Sequence, residues 1–263
     1  DGEGRLRARI RGGSLDLDAF YYAEHVATDG QSVVIAEVRH AESSTFVQSE
    51  RIIRYDMEGM RQAVLYTAEY AQGDQPRQLG RIRSLRMVDG QVLFTWVQST
   101  AVGVSVCENG ATRELFHLRL TGDDVLRAAY EPVTGTLCFT TKKGLLGTAR
   151  AGGTVTWLPY GDGVRVPWGV DMAADGTVLA SDLIGGQVDR ISGGEVQTLW
   201  QGGLTYDVAA VVGGAAFTDG VKQALSAAPD LYDPKKMGVK AKDNVRRLVM
   251  GKIRMCGSDG KAR

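Results

Sequence analysis

The stretch Pro167-Trp168-Gly169-Val170-Asp171-Met172-Ala173-Ala174-Asp175-Gly176-Thr177-Val178-Leu179-Ala180-Ser181-Asp182 contains two apolar strands separated by an Asp-Gly turn. Gln187-Val188-Asp189-Arg190-Ile191 follows as a third strand. Ser192-Gly193-Gly194 makes a second tight turn into Glu195-Val196-Gln197-Thr198-Leu199-Trp200, a fourth strand. Asp-Gly and Gly-Gly suit tight hairpins because glycine enters the left-handed backbone region without a steric penalty. A unit of four such strands, repeated every ~40 residues, is the signature of a β-propeller.

The unit recurs along the chain. The first turn reappears at Asp29-Gly30, Asp89-Gly90, Thr134-Gly135 and Gly213-Gly214, and the second at Glu58-Gly59, Asn109-Gly110 and Gly152-Gly153. Each first turn leads into an apolar strand: Val33-Val34-Ile35-Ala36, Val92-Leu93-Phe94, Leu137-Cys138-Phe139 and Ala215-Ala216-Phe217. The segments Arg39 to Arg51 and Tyr70 to Arg81 are polar and read as loop insertions. The resulting expectation is an all-β propeller of about five four-stranded blades, with six as the alternative, forming a single domain over residues 1–263. A fifth unit starts near Tyr206, and Arg5 to Ile10 would supply its outer strand, removing the exposed edges of an open ring. Residues 220–250 read as a basic insertion or tail in that last blade, with Lys242 to Met250 able to form a short helix.

Composition agrees with one all-β domain. The chain has 263 residues, 34 of them glycine and 6 proline, which suits many tight turns. Its 31 basic and 31 acidic residues balance, so nucleic acid is not an expected partner. No apolar run approaches the ~20 residues that span a bilayer, and no charged-then-apolar leader opens the chain. It starts at Asp1, which reads as a processed product or a piece of something longer. Cys107, Cys138 and Cys256 have neither disulfide nor metal spacing. Cys107 and Cys138, in apolar strands, read as inert thiols, and Cys256 as the more reactive one.

Catalytic signals are thin. His25, His40 and His117 have no partner at triad or zinc spacing, and no phosphate-binding glycine loop is present. Gly144-Leu145-Leu146-Gly147 and Gly185-Gly186 read as hairpin turns.

Pro167, Gly169-Val170, Asp175-Gly176, Val178 and Asp182, with weaker echoes at Val88 to Val92 and Val26 to Val33, resemble the NHL and SMP-30-like group of propeller repeats. That resemblance implies gluconolactonase-like enzymes, which hold a divalent metal in the central channel through carboxylate and asparagine ligands. This chain departs from the pattern: Asn109 falls in an outer turn and Asn244 in the basic tail. A carboxylate-only calcium site from Glu24, Asp171, Asp182, Asp207 and Asp219 is the remaining arrangement, although such residues more often accept turn hydrogen bonds.

The residues entering the first strands are better suited to binding. Tyr22, Arg83, Arg127, Trp168, Tyr206 and Asp207 combine aromatic faces with planar multidentate cations. The sequence therefore reads as a non-catalytic ligand-binding or sensor propeller with no cofactor and no metal. It would take a small molecule or peptide at the channel mouth. Adjacent chain ends and the basic C-terminal segment suggest an extracytoplasmic module of a larger bacterial receptor or surface protein, reaching the membrane through segments outside this chain. A metal-dependent lactonase or hydrolase is the first alternative, and a protein-interaction scaffold the second.

Overall fold

The structure, a computed structural model, describes residues 21–40, 47–70, 81–108, 111–160, 166–182, 185–201 and 208. All regular structure among them is β, in four four-stranded antiparallel sheets. The first holds β1 (Tyr21–Thr28), β2 (Ser32–His40), β3 (Val47–Asp56) and β4 (Arg61–Glu69). The second holds β5 (Ile82–Val88), β6 (Gln91–Gln98), β7 (Ala101–Glu108) and β8 (Ala111–Arg119). The third holds β9 (Val125–Glu131), β10 (Thr136–Thr141), β11 (Leu146–Arg150) and the two-residue β12 (Thr156–Trp157). The fourth holds β13 (Pro167–Met172), β14 (Val178–Asp182), β15 (Gln187–Ser192) and β16 (Glu195–Gln201). In each sheet the strands neighbour one another in chain order, as hairpin connections dictate.

The described residues thus hold four blades where the sequence reading expected about five. The fifth unit at Tyr206, the closing strand Arg5 to Ile10 and the 220–250 segment lie outside the described residues. The turns fall where the glycines place them: Gly30, Gly90, Gly135, Gly176 and Gly193 all have positive φ. Two readings are corrected. The polar stretch Arg39 to Arg51 is no simple insertion, because β2 runs to His40 and β3 begins at Val47. His40, expected in a loop, therefore ends a strand. The reason is that its polar residues pair inside the protein: Ser49 Oγ and Tyr21 Oη lie 2.9 Å apart, and Arg51 Nε donates to the buried Glu37 Oε2 at 2.9 Å. The second correction is Gly147, which lies in β11 rather than in the preceding turn.

Two compact units divide the chain, one containing β1 to β9 and the other most of β10 to β16. Within the first, middle strands are buried on both faces. Ala101 to Cys107 of β7 are buried without a break, which is why that segment reads as continuously apolar rather than alternating. The first and second sheets share a core in which Val34, Ala36 and Ile52 pack with Ile82, Leu85, Val92 and Phe94. Each fully buried large side chain contributes roughly 1.5–3 kcal/mol. The outer strands β4 and β8 are mostly exposed.

Threonines on second strands reach the following blade. Thr95 Oγ1 of β6 donates to Ala128 O of β9 at 2.9 Å, and in the other unit Thr140 Oγ1 of β10 donates to Trp168 O of β13 at 2.9 Å. Both threonines are fully buried, so each hydroxyl needs such a partner. Asp189, also buried, accepts from Tyr160 Oη at 2.9 Å and Thr198 Oγ1 at 2.6 Å.

Glycine has a packing role at Gly103, where the Trp96 indole lies where a Cβ would go, its Nε1 donating to Ser105 Oγ at 3.1 Å. Gly103→Ala forces the ring out of this seat. The expected result is a loss of about 1–3 kcal/mol, measured by denaturant unfolding, with a change in native tryptophan emission.

Candidate functional site

The first strands β1, β5 and β9 of three successive sheets lie side by side in one unit. Bulges place their chemistry. On β1 the pairing passes from Ala23↔Glu37 to His25↔Ala36, so Glu24 is the extra residue. On β5 it passes from Ile82↔Trp96 to Ser84↔Thr95, making Arg83 the extra residue. A bulge breaks the strict alternation of a strand and re-aims the side chain it carries.

Arg83 donates from Nε to Leu126 O at 3.1 Å and from Nη1 to Ile82 O at 3.1 Å. Arg127 of β9 donates from Nη1 to the same Leu126 O, also at 3.1 Å. One backbone carbonyl therefore gathers two guanidiniums. Burial, followed by the nearby Arg127 charge, pulls the Arg83 pKa down to about 10, against the opposing effect of Glu24, Glu50 and Tyr70. Glu24 is half-buried and lies within electrostatic range of Arg83, Arg127, Glu50 and His40. Burial holds its carboxyl above the ordinary range, outweighing the pull of the two arginines.

Glu50 of β3 supports the group from behind. It is 1% exposed, and its Oε2 accepts from Ile82 N at 3.2 Å while its Oε1 accepts from Tyr70 Oη. Because Ile82 immediately precedes Arg83, this carboxylate pins the backbone at the bulge. Burial raises the Glu50 pKa, partly offset by the Tyr70 and backbone hydrogen bonds. Burial and then Glu50 also push the Tyr70 phenol far up, and the Arg81 guanidinium lies 4.8 Å from the centre of the Tyr70 ring.

Of the site residues read from sequence, Arg83 and Arg127 are brought together. Tyr22 is 57% exposed and packs edge-on against His40 at 5.8 Å, so it borders the group through that ring. Trp168 belongs to the other unit, where it lies in a bulge of β13 between the Pro167↔Asp182 and Val170↔Ala180 pairs. Tyr206 and Asp207 lie outside the described residues. Sequence reasoning placed Glu24 only in a metal set and missed Glu50 and Tyr70. The legible signal was Glu50 between Ser49 and Arg51, an acid two residues before the apolar pair Ile52-Ile53.

Two of the carboxylates considered for metal are engaged with backbone. Asp171 Oδ1 accepts from Met172 N at 2.9 Å, and Asp182 Oδ1 accepts from Gly185 N at 2.9 Å. Asp207 and Asp219 lie outside the described residues. Among the described residues no three His, Cys, Asp or Glu side chains are grouped as a metal site requires. Cys107 and Cys138 are buried, and burial pushes the Cys107 thiol up to about 11.

Comparison with known proteins bears on the fold. The structure of a nidogen/laminin complex superposes with a TM-score of 0.50 at 16% identity, covering 74% of this chain and 70% of that one. A catalytically inactive virginiamycin B lyase from Staphylococcus aureus, solved with quinupristin, aligns at a TM-score of 0.44 and 14% identity, over 74% of this chain and 76% of that one. With the four four-stranded sheets, the first likeness supports a β-propeller fold. No family model matches the chain. A stretch of 47 residues, 18% of the chain, is 43% identical to fructose-bisphosphate aldolase from Geobacillus stearothermophilus, and the match spans 16% of that enzyme.

Glu50→Ala removes the acceptor of the Tyr70 hydroxyl and Ile82 amide. Each buried donor left unpaired costs about 1–3 kcal/mol, so a marked drop in Tm is expected by calorimetry. Glu50→Gln tests the charge. A carboxyl with a raised folded pKa contributes stability below its ordinary pKa of 4.5 and loses it as pH rises through the raised value. The Tm of the parent relative to Glu50→Gln should therefore decline as pH rises above that point.

Proposed function

We propose that the chain is a non-catalytic ligand-binding propeller, and that Arg83 and Arg127 hold the anionic group of a small molecule or peptide. The observation that supports this reading is the meeting of two guanidiniums on Leu126 O. Like charges at close range in a partly buried setting repel, and an incoming anion relieves that repulsion. Planar guanidiniums recognise carboxylate, sulfate and phosphate groups through charge-assisted hydrogen bonds. The bulge at Arg83 and the bracing by Glu50 fix the donors before a ligand arrives, which lowers the entropy lost on binding. We further propose that the domain belongs to the extracytoplasmic part of a larger bacterial receptor or surface protein. The basic run Lys235, Lys236, Lys240, Lys242, Arg246 and Arg247 supports a location close to a membrane surface.

A thermal-shift screen of organic acids, sugar acids and short acidic peptides is the first test. Calorimetry on Arg127→Ala is the second. A charge-assisted hydrogen bond is worth about 1.5–3 kcal/mol, so the variant should bind the best hit about tenfold or more weakly, with its Tm close to that of the parent. Equal affinity in parent and variant would remove Arg127 from the site and this reading with it.

A further inference from the structure

We propose that the Asp89-Gly90 turn is a site of spontaneous aspartate isomerisation, and that the change breaks the hold of Arg54 on the β5–β6 hairpin. This inference stands independently of the anion-binding reading.

The reaction needs an aspartyl carboxyl and a following amide that is able to attack it. The Gly90 nitrogen adds to the side-chain carboxyl carbon of Asp89 and loses its proton. One carboxyl oxygen leaves as water, and a cyclic imide remains. Water then opens the ring. Addition at the side-chain carbonyl restores aspartate. Addition at the main-chain carbonyl leaves isoaspartate, in which the backbone runs through the side-chain carboxyl carbon. One water is lost and one regained, so the net composition is unchanged. Glycine favours the attack because it has no Cβ in the way.

Three Asp-Gly steps lie in the described residues, at Asp29-Gly30, Asp89-Gly90 and Asp175-Gly176. The fold treats them differently. Gly30 N donates to Thr28 Oγ1 at 3.0 Å, and Gly176 N donates to Ala173 O at 2.9 Å. Their aspartates are also engaged: Asp29 Oδ1 accepts from Ser32 N at 2.8 Å, and Asp175 Oδ1 accepts from Thr177 N at 2.9 Å. Among the described residues, neither Gly90 N nor the Asp89 carboxyl makes such a bond. Both residues are exposed, and a Cβ at Gly90 would meet nothing within 4 Å. Of the three aspartates only Asp89 has positive φ, 50°, followed by Gly90 at 74°. The left-handed region is disfavoured for an L residue, so rebuilding the chain here relieves a restriction the other two sites do not carry.

The turn also has something to lose. Gly90 O accepts from Arg54 Nη2 at 2.8 Å, which ties β3 of the first sheet to the β5–β6 hairpin of the second. Arg54 Nε is buried with no hydrogen-bond partner among the described residues, so the guanidinium depends on that carbonyl. Isoaspartate lengthens the main chain of a two-residue turn by one atom. That displaces Gly90 from Arg54 and disturbs the adjoining Val88↔Gln91 pair.

Ageing the protein at neutral pH in heavy-oxygen water, followed by digestion in ordinary water, labels each aspartate that has passed through the imide. Fragmentation mass spectrometry places the label, which matters because Asn109-Gly110 shares the tryptic peptide from Met87 to Arg113. Asp89 should gain label about fivefold or more faster than Asp29 or Asp175, because an amide hydrogen bond must first break at each of those sites. In concentrated urea the three should label at similar rates. Aged parent should melt below fresh parent by calorimetry, whereas Asp89→Glu, whose longer side chain cannot close the same ring, should keep its fresh Tm. No label at Asp89, equal or faster labelling at Asp29 or Asp175, or a lead of Asp89 that persists in urea overturns the proposal. An unchanged Tm in labelled parent overturns the loss of the Arg54 link.

Discussion

A buried carboxylate with two donors joins the first pair of sheets. Glu50 lies on β3, receives the Ile82 amide at the entrance to β5, and receives the hydroxyl of Tyr70 just beyond β4. Removing an ionisable group from water is unfavourable unless every bond it loses is replaced. The surrounding structure is arranged to replace them. The β3 backbone cannot slip without exposing the carboxylate, and β5 cannot shift without unpairing the amide. The apolar contact of Val34, Ala36 and Ile52 with Ile82, Leu85 and Phe94 supplies the larger share of the attraction between the sheets. Glu50 supplies the register in which that contact is made.

The same rule governs the other middle strands. A strand covered on both faces cannot expose its polar side chains, so Thr95, Thr140, Ser181 and Asp189 must be satisfied within the protein. Thr95 and Thr140 turn the requirement into links with the next first strand. Ser181 keeps its bond within its own sheet, accepting from Gly169 N at 2.8 Å. These hydroxyls specify where neighbouring strands stop, which apolar packing alone leaves loosely defined.

The sequence made the turns legible because a glycine of positive φ leaves a mark that does not depend on what surrounds it. Asp89 also has positive φ, a conformation that aspartate tolerates better than most residues. The apolar second strands were legible for a similar reason. The site was only half legible. Arg83 and Arg127 could be picked from their place ahead of each first turn, yet Glu24 was assigned with metal-binding acids and Tyr22 was preferred on its strand. A bulge is a property of two paired strands, so counting along β1 alone cannot locate it. Glu50 was hidden by the assumption that a polar stretch lies outside, when Glu37, Ser49 and Glu50 are all buried.

Glu24, Arg83 and Trp168 share one structural circumstance: each falls where the register of a first strand shifts at a bulge. Exchanging such a residue deletes no pair from its sheet. An acid, a base and an indole already occupy equivalent places in this chain, on strands that otherwise pair in the same way. The scaffold therefore separates the positions that keep it folded from the positions that give it chemistry. The bulges act as interchangeable sockets, and the recognition properties of such a protein can be rewritten one socket at a time while the hairpins around it keep their alignment.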